Sequence, residues 1–144
     1  MSDSTYFDTS ALAKWYILEH NTDVLTSYII SVEQAIISSL TITEMRCLLS
    51  KRRRVYNLSE KVEQQIYMAF LNDIHCGHLS VEPFIDQYFN IAAQLITDLS
   101  KIALRTLDAL HLSIVQQNQI SCLATADDVM EKAAKKMGIC VKKF

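Results

Sequence analysis

Short β-type runs that alternate with longer amphipathic helices predict an α/β chain built on one central parallel sheet. Three observations carry that prediction. The 144 residues are 50% hydrophobic and 21% charged, the composition of one globular domain with room for a sizeable core. Only two glycines and one proline interrupt them, which favours helix and disfavours linkers and glycine-rich loops. The strand-like segments are separated by helices, as right-handed βαβ crossovers require. The expected architecture is a three-layer α/β/α sandwich, one domain over residues 1–144 with no internal repeat.

Each element has its own signal. Tyr6 and Phe7 lead a short strand ending at Asp8, and a helix follows over 10–18. Asn21 or Thr22 caps a second helix reaching residue 30. Residues 35–39 have the length and branching of a buried strand. Ile42, Met45, Leu48 and Leu49 share one face of a helix over 42–53. Ser59 caps the next helix, where Val62, Ile66, Ala69, Phe70 and Ile74 recur at helical spacing and Gly77 stands at the C′ position. A strand over 79–84 is weakened by Pro83. Helices over 85–99 and 105–117, a strand over 121–125, a helix over 127–137 closed by Gly138 and a strand over 139–141 complete the chain.

Several function classes drop out. No G-x-x-x-x-G-K-[ST] or G-x-G-x-x-G occurs, so P-loop and dinucleotide-binding readings lack support. No apolar run approaches the ~18 residues of a membrane span. Met1-Ser2-Asp3-Ser4 is polar and acidic where a secretory signal is basic and then apolar, so a cytoplasmic protein is expected. Cys47, Cys76, Cys122 and Cys140 form no C-x-x-C pair and read as buried or inert thiols rather than a disulfide framework or zinc site. The net charge of −2 hides segregation: Lys51-Arg52-Arg53-Arg54 is basic, as are Lys132, Lys135, Lys136, Lys142 and Lys143. Such runs are either solvated helix ends or a phosphate-contacting rim, and composition leaves both open.

The chemistry concentrates where ligands bind open parallel sheets, beyond the carboxyl ends of strands. Asp8 closes the first strand, Asp127 follows the 121–125 strand by two positions, and Glu44 falls in the first turn of the helix after the second strand. Asp108 lies in a segment apolar nearly all round, where a lone carboxylate must be paired, protonated or bound to a cation. Arg105, one turn earlier, is one partner for it. Three further acids at the same edge make a divalent cation the simplest solution. Each acid also has a local explanation. Glu44 completes a capping box with Thr41, Asp127 and Asp8 are helix N-caps, and Asp108 gains from the helix dipole.

Carboxylates without histidine or cysteine suit Mg²⁺ or Mn²⁺. Such ions serve phosphodiester hydrolysis, by acidifying a bound water and orienting the phosphate. Thr9, Ser10 and Thr125 stand beside the acids and are expected to orient carboxylates or water. His111 lies one turn from Asp108 on the same side and reads as a packed or hydrogen-bonded histidine within reach of the site. His75 and His78 match no zinc spacing.

At these residues a family becomes recognisable. Tyr6-Phe-Asp-Thr-Ser-Ala-Leu12 resembles the opening motif of PIN domains, and Ser39-Leu-Thr-Ile-Thr-Glu44 resembles their second block. Arg105-Thr-Leu-Asp-Ala-Leu-His-Leu112 resembles the third block of VapC-type toxins, and Leu123-Ala-Thr-Ala-Asp127 the fourth. The resemblance implies a Mg²⁺- or Mn²⁺-dependent endoribonuclease, the toxin of a VapBC-type pair. It makes Asp8 and Asp108 direct metal ligands, with Asp127 completing the site and Glu44 acting directly or through water. It also implies a homodimer and a VapB-like antitoxin that fills the groove. Asp128 beside Asp127 departs from the pattern and leaves open which of the two points inward; the Thr-x-Asp spacing favours Asp127. RNA contact is assigned to Arg52, Arg53 and Arg54. The competing readings are a PIN-fold nuclease for RNA processing or DNA cleavage, and a non-catalytic nucleic-acid- or partner-binding module.

Overall fold

The computed structural model describes residues 3–144, so Met1 and Ser2, read above as part of a polar amino terminus, lie outside the described residues. The chain runs β1 (Ser4–Phe7), α1 (Thr9–Tyr16), α2 (Thr22–Ser31), β2 (Gln34–Ser38), α3 (Ser39–Tyr56) and α4 (Glu60–His75). It continues through β3 (Ser80–Glu82), α5 (Gln87–Asp98), α6 (Thr106–Gln117), β4 (Cys122–Thr125), α7 (Asp128–Lys136) and β5 (Cys140–Lys143). The five strands form one sheet in the order β3-β2-β1-β4-β5, with every neighbouring pair parallel. The α/β/α sandwich expected from the sequence is the fold observed.

Strand periodicity divides the core into two layers. Side chains alternate across a strand, so Tyr6, Ile36 and Leu123 pack on one face against Ala92 and Leu95 of α5, Leu112 of α6 and Met130 of α7. Phe7, Ile37 and Ala124 take the other face, with Leu12 of α1, Leu25 of α2, Met45 of α3 and Phe70 of α4. Tyr6, Phe7, Ile37, Leu112 and Leu123 are fully buried, and at roughly 1.5–3 kcal/mol per large apolar side chain their burial dominates what holds the layers together. The central strands β1 and β4 are buried along their whole length, whereas β5 is largely exposed at the sheet edge.

Helix boundaries follow local chemistry. The only two glycines both fall just past a helix end: Gly77 after α4 at φ +83° and Gly138 after α7 at φ +77°, a left-handed conformation that costs glycine nothing. Asn21 precedes α2 at φ 66° without a side-chain cap, and Thr22 Oγ1 instead accepts from Glu19 N at 2.9 Å. Pro83 stands just beyond β3 and shortens it to three residues. All four cysteines are free, as expected, but the expectation of burial needs correction. Cys122 is buried, but Cys47, Cys76 and Cys140 are exposed, and the parallel register sets Cys122 directly opposite Cys140.

Candidate active site

The strand order turns back at β1, because the chain leaves it toward β2 and β3 and later returns to β4 on its other side. The loops after β1 and β4 therefore part at their carboxyl ends and open a crevice at the topological switch point. Asp8 follows β1 and Asp127 follows β4, while Glu44 enters from α3 and Asp108 from α6. These four acids line one cleft of about 90 Å³ together with Thr9, Ser10, Arg105, His111 and Met130.

Asp8 is the most enclosed of the four, at 3% exposure. Its Oδ1 accepts from Ser10 Oγ at 2.7 Å and from Ala11 N at 2.9 Å, and Thr125 Oγ1 donates to Oδ2. The donors are themselves held, since Ala126 N donates to Ser10 Oγ at 2.9 Å and Asp127 N to Thr125 Oγ1 at 3.0 Å. Burial pushes the Asp8 pKa up, while the bonds from Ser10 and Thr125, the nearby His111 and the Ala11 amide pull it back.

Asp108 and Asp127 share one cation. Asp108 Oδ2 accepts from Arg105 N at 3.2 Å and from Arg105 Nε at 3.0 Å, and Arg105 Nη2 reaches Asp127 Oδ2 at 3.4 Å. The Arg105 side chain is 73% exposed, so it lies over the cleft and is not part of the core. The other oxygen of Asp127 caps α7, accepting from Met130 N at 2.9 Å. Asp8, Asp108 and Asp127 thus each serve a helix start and also face the cleft. Capping and clustering are not alternatives here, because a carboxylate has two oxygens.

Glu44 differs from its expected setting. α3 begins at Ser39, because Ser38 N donates to Thr41 Oγ1 at 3.3 Å in a capping box of their own. Glu44 therefore lies in the second turn, not the first, and does not cap with Thr41. Its Oε1 instead accepts from Thr9 Oγ1 at 2.9 Å and meets His111 Nε2 in a short hydrogen bond. On the other side of the ring, His111 Nδ1 lies 2.6 Å from Tyr6 Oη, which is 2.9 Å from Ser38 Oγ. A carboxylate only accepts, so Nε2 carries the proton shared with Glu44. Burial pushes the Tyr6 hydroxyl far above its ordinary range and keeps it a neutral phenol. This Tyr6–His111–Glu44 chain joins residues 105 and 67 positions apart; only the i, i+3 spacing of Asp108 and His111 hinted at it.

The remaining expected residues separate cleanly. Asp128 points outward, with an 88% exposed side chain paired to Lys143 Nζ at 2.9 Å, whereas the Asp127 side chain is 29% exposed and lines the cleft. In the basic run, Lys51 and Arg52 line a groove of about 520 Å³ that shares Thr9, Ser10, Glu44 and Arg105 with the acidic cleft. Arg52 also pairs with Glu19 and sits 5.1 Å over the Tyr56 ring. Arg53 turns toward Glu60 and Glu63, and Arg54 donates to Ser50 Oγ at 2.7 Å. Neither of those two lines the groove.

Among the described residues, no three His, Cys, Asp or Glu side chains are drawn into a metal cage. Mg²⁺ does not require one, because it keeps several waters and binds through one or two carboxylates. An all-oxygen donor set, with two of its carboxylates balanced by an exposed arginine, fits such a cation. No helix among the described residues is long and apolar enough to cross a membrane.

A parallel α/β sheet with acids gathered at its switch point defines a class, and the comparisons with known proteins give it a family. The PIN domain model matches residues 5–136, and the chain belongs to the PIN domain family. It is 29% identical over 139 residues to Ribonuclease VapC46 of Mycobacterium tuberculosis, covering 94% of each protein. Among solved structures it resembles VapC20 of Mycobacterium tuberculosis, described as a sarcin-ricin loop cleaving toxin, with a TM-score of 0.70 and 15% identity over 90% of this chain and 94% of that one. VapBC2 of Rickettsia felis, bound to a DNA fragment from its promoter, matches with a TM-score of 0.67 and 18% identity over 97% of this chain and 98% of that one. At such identities the structural likeness speaks for the fold.

Proposed function

We propose that this chain is a Mg²⁺- or Mn²⁺-dependent endoribonuclease that acts as the toxin of a VapBC-type toxin–antitoxin pair in the cytoplasm. The observation that carries the reading is the meeting of Asp8, Glu44, Asp108 and Asp127 in one cleft at the switch point of the sheet. The PIN family membership and the relative named a ribonuclease support it.

Asp8 and Asp108 would hold the cation, with Asp127 completing the site and Glu44 beside it, directly or through water. When bound, the ion supplies a more acidic water and a counter-charge for the phosphate. The chain's own residues do the rest. Ser10, Ala11 and Thr125 fix the Asp8 carboxylate, and His111 and Thr9 fix Glu44 by Oε1, so neither acid reorganises during turnover. Arg105 neutralises Asp108 and Asp127 without the cation, and is placed to meet an RNA phosphate once the cation takes over that task. The adjoining groove, with Lys51, Arg52 and the exposed Tyr56 and Leu107, suits a phosphate backbone with an unstacked base.

Partners are proposed on the same footing. The apolar Tyr56 and Leu107 in the groove favour a VapB-like antitoxin segment that covers the acids. Exposed Ile85, Phe89 and Ile96 on and beside α5 favour a homodimer. Purified protein is expected to cleave single-stranded RNA with Mg²⁺ or Mn²⁺, to stop with EDTA, and to spare DNA of the same sequence. Cleavage undiminished by EDTA, or a preference for DNA, would overturn the reading.

A further inference from the structure

Cys122 and Cys140 are the two residues that the nuclease reading leaves unused and that nevertheless meet. They are paired partners in the β4–β5 register, and their sulfurs lie 2.6 Å apart. Neighbouring strands sit roughly 4.8 Å apart and a disulfide spans a Cα separation of roughly 4.4–6.8 Å, so the register brings the two thiols within reach of a bond. The pair is asymmetric. Cys122 is buried in β4 at 4% exposure, whereas Cys140 is exposed at the start of the edge strand β5. Cys47, in α3, and Cys76, just past the end of α4, are both exposed.

We propose that Cys122 and Cys140 form a reversible oxidation site, a dithiol that hydroperoxides convert to a cross-strand disulfide. The Cys140 thiolate attacks one peroxide oxygen; the O–O bond breaks and leaves Cys140 sulfenic acid and a hydroxide, which takes up the proton the thiol had released and departs as water. The Cys122 sulfur then displaces the sulfenic hydroxyl as a second water and gives up its own proton to it. Two thiols lose two electrons in all and one peroxide gains them. Exposure assigns the first step to Cys140. Burial pushes the Cys122 thiol up to about 12, so it stays protonated and does not compete for the peroxide, and its place opposite Cys140 leaves it to close the bond. In the bonded form β5 is stapled at its amino end to the strand that leads into Thr125 and Asp127. At the other end Phe144 N already donates to Thr125 O at 3.0 Å, and Lys143 pairs with Asp128 at 2.9 Å.

The proposal is independent of the nuclease reading, and its test uses no RNA. The full chain is freed of reductant, treated with a small excess of hydrogen peroxide, alkylated, digested with trypsin and mapped by mass spectrometry without reduction. The peptide 106–132 is expected linked to the peptide 137–142, with the four thiols of the chain reduced to two. The melting temperature should rise by several degrees, because a closed loop constrains the unfolded chain, and dithiothreitol should reverse both changes. Cys140→Ser, at an exposed edge position, is expected to fold, to keep Cys122 as a thiol and to show no peroxide-dependent melting shift. Cys140 recovered as sulfinic acid beside an alkylated Cys122, a link through Cys47 or Cys76, or an unchanged thiol count would each overturn the proposal.

Discussion

The two sides of the acidic cleft are built on different principles. Asp8 is held from beneath, by two hydroxyls and an amide that belong to the fold and are themselves hydrogen-bonded. Asp108 and Asp127 each take one backbone amide, and their charge is balanced from above by a single arginine whose side chain is 73% exposed. Rigid donors stabilise a carboxylate whether or not a cation is present. An exposed arginine balances charge only until something better arrives, and at its exposure the pairing contributes roughly 0–1 kcal/mol. The difference suggests a division of labour: one side of the cleft is fixed in advance and the other is exchangeable.

The largest effect should come from the fixed side. Asp8→Asn keeps the shape but removes the charge, and loss of several kcal/mol of transition-state stabilisation corresponds to on the order of 10²–10³-fold in rate. Metal-dependent RNA cleavage by the variant at the wild-type rate would remove Asp8 from the site. His111→Ala should come next. It takes one of two hydrogen-bond partners from Glu44, which keeps Thr9, and from the buried Tyr6 hydroxyl, which keeps Ser38, and losses of this kind lower activity or metal affinity by roughly 10–100-fold. Titration with Mg²⁺ followed by melting temperature separates the two causes. A positioning role weakens the Mg²⁺ response, whereas a purely structural one lowers the melting temperature and leaves that response intact.

The pH dependence probes the same contrast. Burial raises the Asp8 pKa in the folded chain, so the folded state binds this proton more readily than the unfolded chain does. Above the raised value the ionised, buried carboxylate costs stability. As pH falls through it that cost disappears, and the relief is complete once the unfolded carboxyl is protonated too. Metal-free wild type is therefore expected to gain melting temperature relative to Asp8→Asn as pH drops from neutral toward the ordinary carboxylate range. Mg²⁺ competes with that proton, so its stabilising effect should shrink over the same interval. Parallel melts in EDTA and in Mg²⁺ check both signs, and a relative gain with rising pH would sink the argument.

How much of this was legible depends on the distance over which a residue finds its partner. Asp8 and Asp127 could be placed because a strand end fixes them, and each needs only its own few neighbours. Glu44 could be placed at the edge but not in the right turn. Apolar periodicity begins only at Ile42, while the Ser38–Thr41 capping box starts the helix at Ser39. The Tyr6–His111 contact and the Cys122–Cys140 pairing were out of reach for another reason. Both are set by which strands and helices lie side by side, and sequence spacing carries little of that information. Arg105 was visible as a partner for Asp108, yet its second bond, to Asp127, needs the same missing adjacency.

The smallest expected effects test the exchangeable side, and they are the most discriminating. Asp127→Asn and Asp128→Asn change neighbouring carboxylates that differ in direction, one lining the cleft and the other paired with Lys143 at the surface. The first should weaken cleavage and the second should leave it at the wild-type rate, measured on the same RNA. Arg105→Ala then isolates the exchange itself. Without the guanidinium, Asp108 and Asp127 repel each other in the metal-free protein, so its melting temperature should fall slightly. Mg²⁺ has that repulsion to relieve, so the rise in melting temperature on adding it should exceed that of wild type. A smaller Mg²⁺ response in Arg105→Ala would mean that the arginine helps to build the cation site and does not give way to it, and the two sides of the cleft would then be equally fixed.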